Sequence, residues 1–163
     1  MLSRQCSIIE RNGFTLIELL VTIVIIAILA SVAMPLAALN QQRAKEKELR
    51  EDLREIRIAI DAYKQAVDEG RIVRSLDQSG YPPNLSVLVE GATDVKSPVS
   101  RKIYFLRHVP KNPFAENAVD AESSWGKRSY ASPPDMPREG KDVYDIYSLS
   151  DKAGLNGIPY KEW

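Results

Sequence analysis

One cysteine and one histidine stand among 163 residues. The cysteine, Cys6, lies near the start of the chain, and a single thiol forms no intrachain disulfide in any redox compartment. The histidine, His108, neighbours Val109-Pro110 with no acid or nucleophile pattern around it, so it reads as an exposed or capping residue rather than a catalytic base. No Ser-His-Asp set, zinc-ligand spacing or glycine-rich phosphate loop is present, and no enzymatic activity is expected. Charge of one sign is missing too: 22 basic residues balance 22 acidic ones, which leaves no basic footprint for nucleic acid. There are no long internal repeats.

What the chain does have is concentrated apolar character. From Phe14 to Leu39 the only charged residue is Glu18. This run spans roughly 39 Å as a helix, enough to cross a bilayer with some tilt. Its Ile and Val are indifferent helix formers in water, but in lipid the backbone has no other partner and must bond to itself. A lone carboxylate there is costly, and such a residue has a partner that defines its use. Pro35 removes one backbone hydrogen bond from the run and marks a local bend or loosening. Ahead of the run sits a short polar leader, Met1 to Gly13, with Arg4 and Arg11. Basic residues before the apolar segment place the N-terminal end in the cytoplasm and the remainder across the membrane. Ala27, Ala30 and Ala33 mimic a signal-peptidase site, yet the apolar helix continues past them.

From Asn40 the same helix turns amphipathic. Leu49, Leu53, Ile56, Ile60, Tyr63 and Val67 recur at alternating steps of four and three, which lines them on one face. Arg43, Lys45, Glu46, Lys47, Glu48, Arg50, Glu51, Asp52, Arg54, Glu55 and Arg57 fill the spaces between and read as a solvated face of mixed sign, or as charges that pair between subunits of an assembly. The stripe also fits a short coiled-coil seam. The turn-rich sequence that follows favours a helix packed on a small sheet. Gly70 is the expected helix stop.

Beyond Gly70, Gly80-Tyr81-Pro82-Pro83-Asn84 is a turn signal, and Leu85, Leu88 and Val89 predict a short helix. Strands are expected over Ile103–Leu106, Lys127–Ala131 and, most clearly, Val143–Leu149. The reading is α+β: a long N-terminal helix, membrane-spanning then amphipathic, packed on a small antiparallel sheet of two to four strands with a loop-rich C-terminal region. Expected boundaries are a leader over 1–13, a membrane or filament-core helix over 14–39, its amphipathic continuation over 40–69, and a globular domain over 70–163.

The arrangement Gly13-Phe14-Thr15-Leu16-Ile17-Glu18 resembles the class III signal peptide of type IV pilins and of the pseudopilins of type II secretion. Leu106 and Val109-Pro110-Lys111-Asn112-Pro113-Phe114, Trp125-Gly126 followed by Tyr130, and Tyr144 to Asp151 with an end at Trp163 are similar to the major pseudopilin branch. The resemblance covers most of the chain. It implies cleavage by a prepilin peptidase between Gly13 and Phe14, N-methylation of Phe14, pairing of Glu18 with the amine of a neighbouring subunit, and a stretch at Pro35 that melts on packing. It implies a subunit of a periplasmic pseudopilus driving type II secretion: an inner-membrane, single-pass protein with a periplasmic domain. Its partners would be further copies in a helical filament, minor pseudopilins, and the inner-membrane assembly platform with its secretion ATPase. A surface type IV pilus subunit for adhesion, motility or DNA uptake is the alternative, and a monomeric anchored binding domain a more remote one.

A cut after Gly13 removes Cys6, so the disulfide-closed C-terminal loop of many pilins is excluded. The resembling branch instead orders that loop with calcium. Ser148 and Asp151 match the start of its loop, but the later Asp pair is replaced by Ile158-Pro159-Tyr160-Lys161-Glu162. Asn156 and Glu162 are the available substitutes. The competing expectation is a metal-free polar turn held by Tyr160 and Trp163.

Overall fold

The computed structural model describes residues 13–115 and 120–163; the leader residues Arg4, Cys6, Glu10 and Arg11 lie outside them. The chain divides into two compact units, Met1–Gln41 and Gln42–Trp163. One helix, α1 (Leu16–Asp68), contributes to both and runs through Pro35 without a break.

In the first unit α1 presents its apolar side chains outward. Every large hydrophobic from Leu16 to Leu29 is about half exposed or more, Phe14 included. The helix is long and apolar enough to cross a membrane by length and composition. Its hydroxyls are satisfied locally: Thr22 Oγ1 donates to Leu19 O at 2.8 Å and Ser31 Oγ to Ile28 O at 2.7 Å.

In the second unit the stripe from Leu49 to Val67 is buried, with Ala59 and Ala66 widening it. A fully buried Leu or Ile side chain contributes about 1.5–3 kcal/mol, so this stripe is the main apolar stabiliser of the domain. The helix ends where expected. Gly70 N–H donates to Val67 O and Arg71 N–H to Ala66 O, both at 2.9 Å, with Gly70 at φ 68°. This is a Schellman cap, which needs the left-handed conformation glycine takes freely.

A five-residue helix, α2 (Ser86–Glu90), follows, then β1 (Ala92–Thr93), β2 (Lys102–Ile103), β3 (Trp125–Arg128) and β4 (Asp145–Ser148). The class is α+β and pilin-like, as expected. The strands do not form one sheet. β1 pairs antiparallel with β2, and β3 pairs antiparallel with β4, as two separate ribbons.

Three strand expectations need correction. The strand over Ile103–Leu106 stops at Ile103, because the amides of Phe105 and Leu106 both turn to Leu88 O at 3.0 Å. The strand over Lys127–Ala131 is displaced to Trp125–Arg128: Ser129 N–H bonds Arg138 O, and Tyr130 N–H bonds the Asp142 carboxylate. The strand over Val143–Leu149 narrows to Asp145–Ser148, since Val143 N–H is taken by Pro82 O. In each case a carbonyl or carboxylate outside the ladder satisfies an amide that periodicity had assigned to it.

Gly126 pairs with Tyr147 across β3 and β4. A Cβ at Gly126 would come within 2.4 Å of the Tyr147 ring, so the glycine lets that ring lie against the strand. Beside it, Trp125 is buried and its Nε1–H donates to Pro110 O at 2.8 Å. Asn112 is also buried. Its Nδ2 donates to Ser124 O and Ser148 Oγ, and its Oδ1 accepts from Phe114 N–H. The proline-bracketed loop is thereby tied to both strands of the second ribbon.

Candidate functional site

Two places carry the functional expectations, and each lies within one unit. The first is the start of α1. Gly13 has no atom within 4 Å of where a Cβ would stand, and Phe14 is 80% exposed. Thr15 and Glu18 contact each other reciprocally: Glu18 N–H donates to Thr15 Oγ1 at 3.3 Å, and Thr15 N–H points at Glu18 Oε2 at 3.5 Å. This is a loose capping box, and its T-x-x-E signature was present in the sequence. Both distances are long, and this contact is the one hydrogen bond of the Glu18 carboxylate among the described residues. The geometry keeps the acid at the positive end of the helix dipole and free to take a stronger cationic donor. Pro35 is exposed within the helix.

The second place is the C-terminal loop, where a metal-free turn held by Tyr160 and Trp163 competes with the calcium that the resemblance offers at Ser148, Asp151 and Asn156. These residues do not make a calcium set. Ser148 Oγ is fully buried, accepting from Asn112 Nδ2 at 2.9 Å and Ser150 N–H at 3.3 Å. Asn156 Oδ1 accepts from Ile158 N–H at 3.0 Å, closing its own turn. Asp151 and Glu162 are exposed. No group of three or more His, Cys, Asp or Glu able to hold a metal occurs among the described residues. A calcium ion wants six to eight oxygens, and the inward Ser148 cannot share one coordination sphere with the exposed acids.

Protein groups of α1 reach this loop directly. Glu46, expected on the solvated face, is 5% exposed. Its Oε1 accepts from Tyr160 OH at 3.0 Å, Leu155 N–H at 2.8 Å and Gln42 Nε2 at 3.1 Å. Gln42 and Glu46 extend the Leu49 stripe by further steps of four and three, which was the signal that this carboxylate points inward. A buried carboxylate with three donors is compensated. Tyr160 stacks on Phe114 at 4.2 Å between centroids and meets the Trp163 ring edge-on at 5.0 Å. Further along α1, Arg57 reaches Asp145 Oδ1 at 2.8 Å, Ile146 O at 3.1 Å and Trp163 O at 2.8 Å. Arg50 lies over the Trp163 ring at 4.3 Å.

Nothing among the described residues resembles a catalytic centre. His108 is exposed. A groove of about 910 Å³ runs past Tyr81, Tyr130, Ser129 and Asp142. Burial alone would raise the Asp142 carboxyl. Hydrogen bonds from Ser129 Oγ, Ser79 Oγ and Tyr130 N–H outweigh it and hold the group below the usual carboxylate range. It is a saturated loop anchor rather than an acid or base poised to react.

The outward apolar helix, its N-terminal acid and the two-ribbon domain define a pilin-like chain. Residues 10–34 match the family model of the prokaryotic N-terminal methylation motif. The chain is 30% identical over 156 residues to the type II secretion system core protein G of Klebsiella pneumoniae, covering 92% of this chain and 89% of that protein. It is 30% identical over 144 residues to the protein of that name from Pseudomonas aeruginosa, covering 86% and 83%, and 29% identical over 144 residues to the one from Vibrio cholerae, covering 86% and 80%. No solved structure matches the chain. The protein belongs to the type II secretion system core protein G family.

Proposed function

We propose that this protein is the structural subunit of a periplasmic pseudopilus, a helical homopolymer whose growth drives type II secretion across the outer membrane. The observation that carries the reading is the outward-facing apolar helix with one carboxylate, Glu18, at its N-terminal end. Membership of the core protein G family supports it. A prepilin peptidase cuts after Gly13 and methylates Phe14, the basic leader stays cytoplasmic, and the domain from Gln42 lies in the periplasm. In the filament Glu18 exchanges its long contact with Thr15 N–H for the Phe14 amine of a neighbouring copy. An unpaired carboxylate in an apolar core is costly, so this pair selects one register. Minor pseudopilins and the inner-membrane platform with its ATPase are the assembly partners. The subunit's role is mechanical, with no catalytic step.

Calcium is not assigned a role in this reading, because the C-terminal loop is closed by Glu46, Arg57, Tyr160 and Trp163.

The test is the intact mass of membrane-extracted protein, expressed with and without its prepilin peptidase. Loss of Met1–Gly13 together with gain of one methyl group on Phe14 is the expected result. An unchanged mass beside active peptidase would remove the filament reading.

A further inference from the structure

The exposed surface of α1 between Arg43 and Arg57 is sorted by sign. At 3.6 residues per turn, Arg43, Lys47, Arg50 and Arg54 follow steps of four and three and form one stripe. Glu48, Glu51, Asp52 and Glu55 form another, about a third of a turn away. The buried Leu49–Val67 stripe takes the remaining third. The helix therefore has an apolar, a basic and an acidic face, with Asp61 closing the basic face at its C-terminal end. Ile58, 56% exposed, stands between the two charged faces.

Little of this charge is answered within the chain. Among the described residues, Arg43, Arg54, Glu48, Asp52 and Glu55 make no ion pair. Lys47 meets Glu51 at 3.7 Å with both side chains more than two-thirds exposed, a weak contact. The acidic face is self-repelling: burial together with Glu48, Glu55 and Glu51 pushes the Asp52 carboxyl up to about 6, against a small opposing effect of His108. Like charges held in a row on a rigid helix are a standing cost that a complementary surface relieves.

We propose that the basic face of α1 in one copy docks on the acidic face of α1 in the next. The occupant of each face is thus a second copy of this chain. Charge complementarity selects it, since each copy carries both signs at matched helical spacing. The contact is head-to-tail: each copy offers its basic face to one neighbour and its acidic face to another, which propagates rather than closing as a dimer. The proposal rests on the filament reading and supplies that assembly with a periplasmic contact separate from Glu18.

The test uses full-length protein in cells carrying the assembly apparatus, with sheared filament yield as readout. Arg43→Glu/Arg54→Glu cancels the basic face by setting two acids beside Lys47 and Arg50, and Glu48→Arg/Glu55→Arg cancels the acidic face by setting two arginines beside Glu51 and Asp52. All four residues are exposed and without an ion pair among the described residues, so the fold is expected to hold. Each double reversal should lower filament yield about tenfold or more, since like-charge juxtaposition is strongly disfavoured. The four-site reversal swaps the sign of the reversed positions on both faces, re-pairs them across the contact and should restore assembly. Either double reversal assembling like the parent, or no recovery in the four-site variant, would overturn the proposal.

A second measurement does not depend on charge reversal. In a Cys6→Ser background, a chain with Glu48→Cys and Arg54→Cys should cross-link into a ladder beyond dimer. A product that stops at dimer, or none, contradicts the head-to-tail contact. A parent chain that makes no filament beside a working apparatus would refute the filament reading itself, so the two failures are distinguishable.

Discussion

Both halves of α1 carry large apolar side chains but treat them differently. From Leu16 to Leu29 those side chains are 48–82% exposed. From Leu49 to Val67 the apolar stripe is 0–8% exposed. The later half is amphipathic and its apolar face is covered by α2, the ribbons and the C-terminal loop. The earlier half is apolar all round, and no described element within its unit covers it. A surface of this kind suits a lipid bilayer or the packing of other apolar helices. One half of the helix is thus complete within the chain, and the other is completed from outside.

The largest effect expected from breaking this comparison is on assembly. Glu18→Ala should still insert and be processed, yet filament yield should fall at least about tenfold, because the carboxylate is the polar group that fixes register in an apolar core. Normal filament yield and normal secretion in that variant would refute the pairing role.

Next comes truncation within each half. Leu53→Ala should destabilise the domain by about 2–5 kcal/mol. Ile23→Ala should leave domain unfolding unchanged. Denaturant titration followed by tryptophan fluorescence, which reads the buried Trp125, separates the two, and equal losses would erase the distinction between the halves.

The C-terminal loop gives a smaller effect. Glu46→Ala removes the acceptor for Tyr160 OH and Leu155 N–H and should cost about 1–3 kcal/mol. Hydrogen exchange should show residues 153–163 losing protection, whereas a chelator added to the parent should change neither protection nor unfolding. A chelator that opens the loop would return calcium to the account.

Asp52 sharpens the comparison most gently. Its folded-state carboxyl is raised to about 6 from an ordinary 3.8, so the folded form binds more protons than the unfolded one between those values. Stability should therefore fall as pH rises from about 4 to 6 and then level off. Asp52→Asn should flatten that slope and add about 1 kcal/mol at pH 7, after discounting for the partial exposure of the site. An unchanged slope would mean that the acidic face is not strained.

The helix, its glycine stop and the buried stripe were legible in the sequence because each follows from local spacing and one cap. The strands were less legible. Loop groups far along the chain, such as Pro82 O and Asp142, capture amides that no local pattern assigns to them. The start of α1 was half legible: Gly13, Phe14 and Glu18 stood out, but the Thr15–Glu18 capping box was overlooked. Glu46 was misread as solvated because it is charged. Its burial depends on Leu155 and Tyr160, more than a hundred residues away. The calcium set at Ser148, Asp151 and Asn156 came from resemblance alone, and here Ser148 faces inward to Asn112.

The clamp of Glu46 and Arg57 also imposes a chronology. Its partners Leu155, Tyr160 and Trp163 lie 106–114 residues downstream. Contacts of such long sequence separation close slowly. Through synthesis and export the cover of the apolar stripe of α1 stays incomplete until residues 155–163 arrive, and until then the stripe is an aggregation hazard. A chain cut just before Tyr160 would keep its helix and both ribbons but leave Arg57 without Trp163 O and Glu46 without Tyr160 OH. Completion of the domain is thereby tied to delivery of residues 155–163.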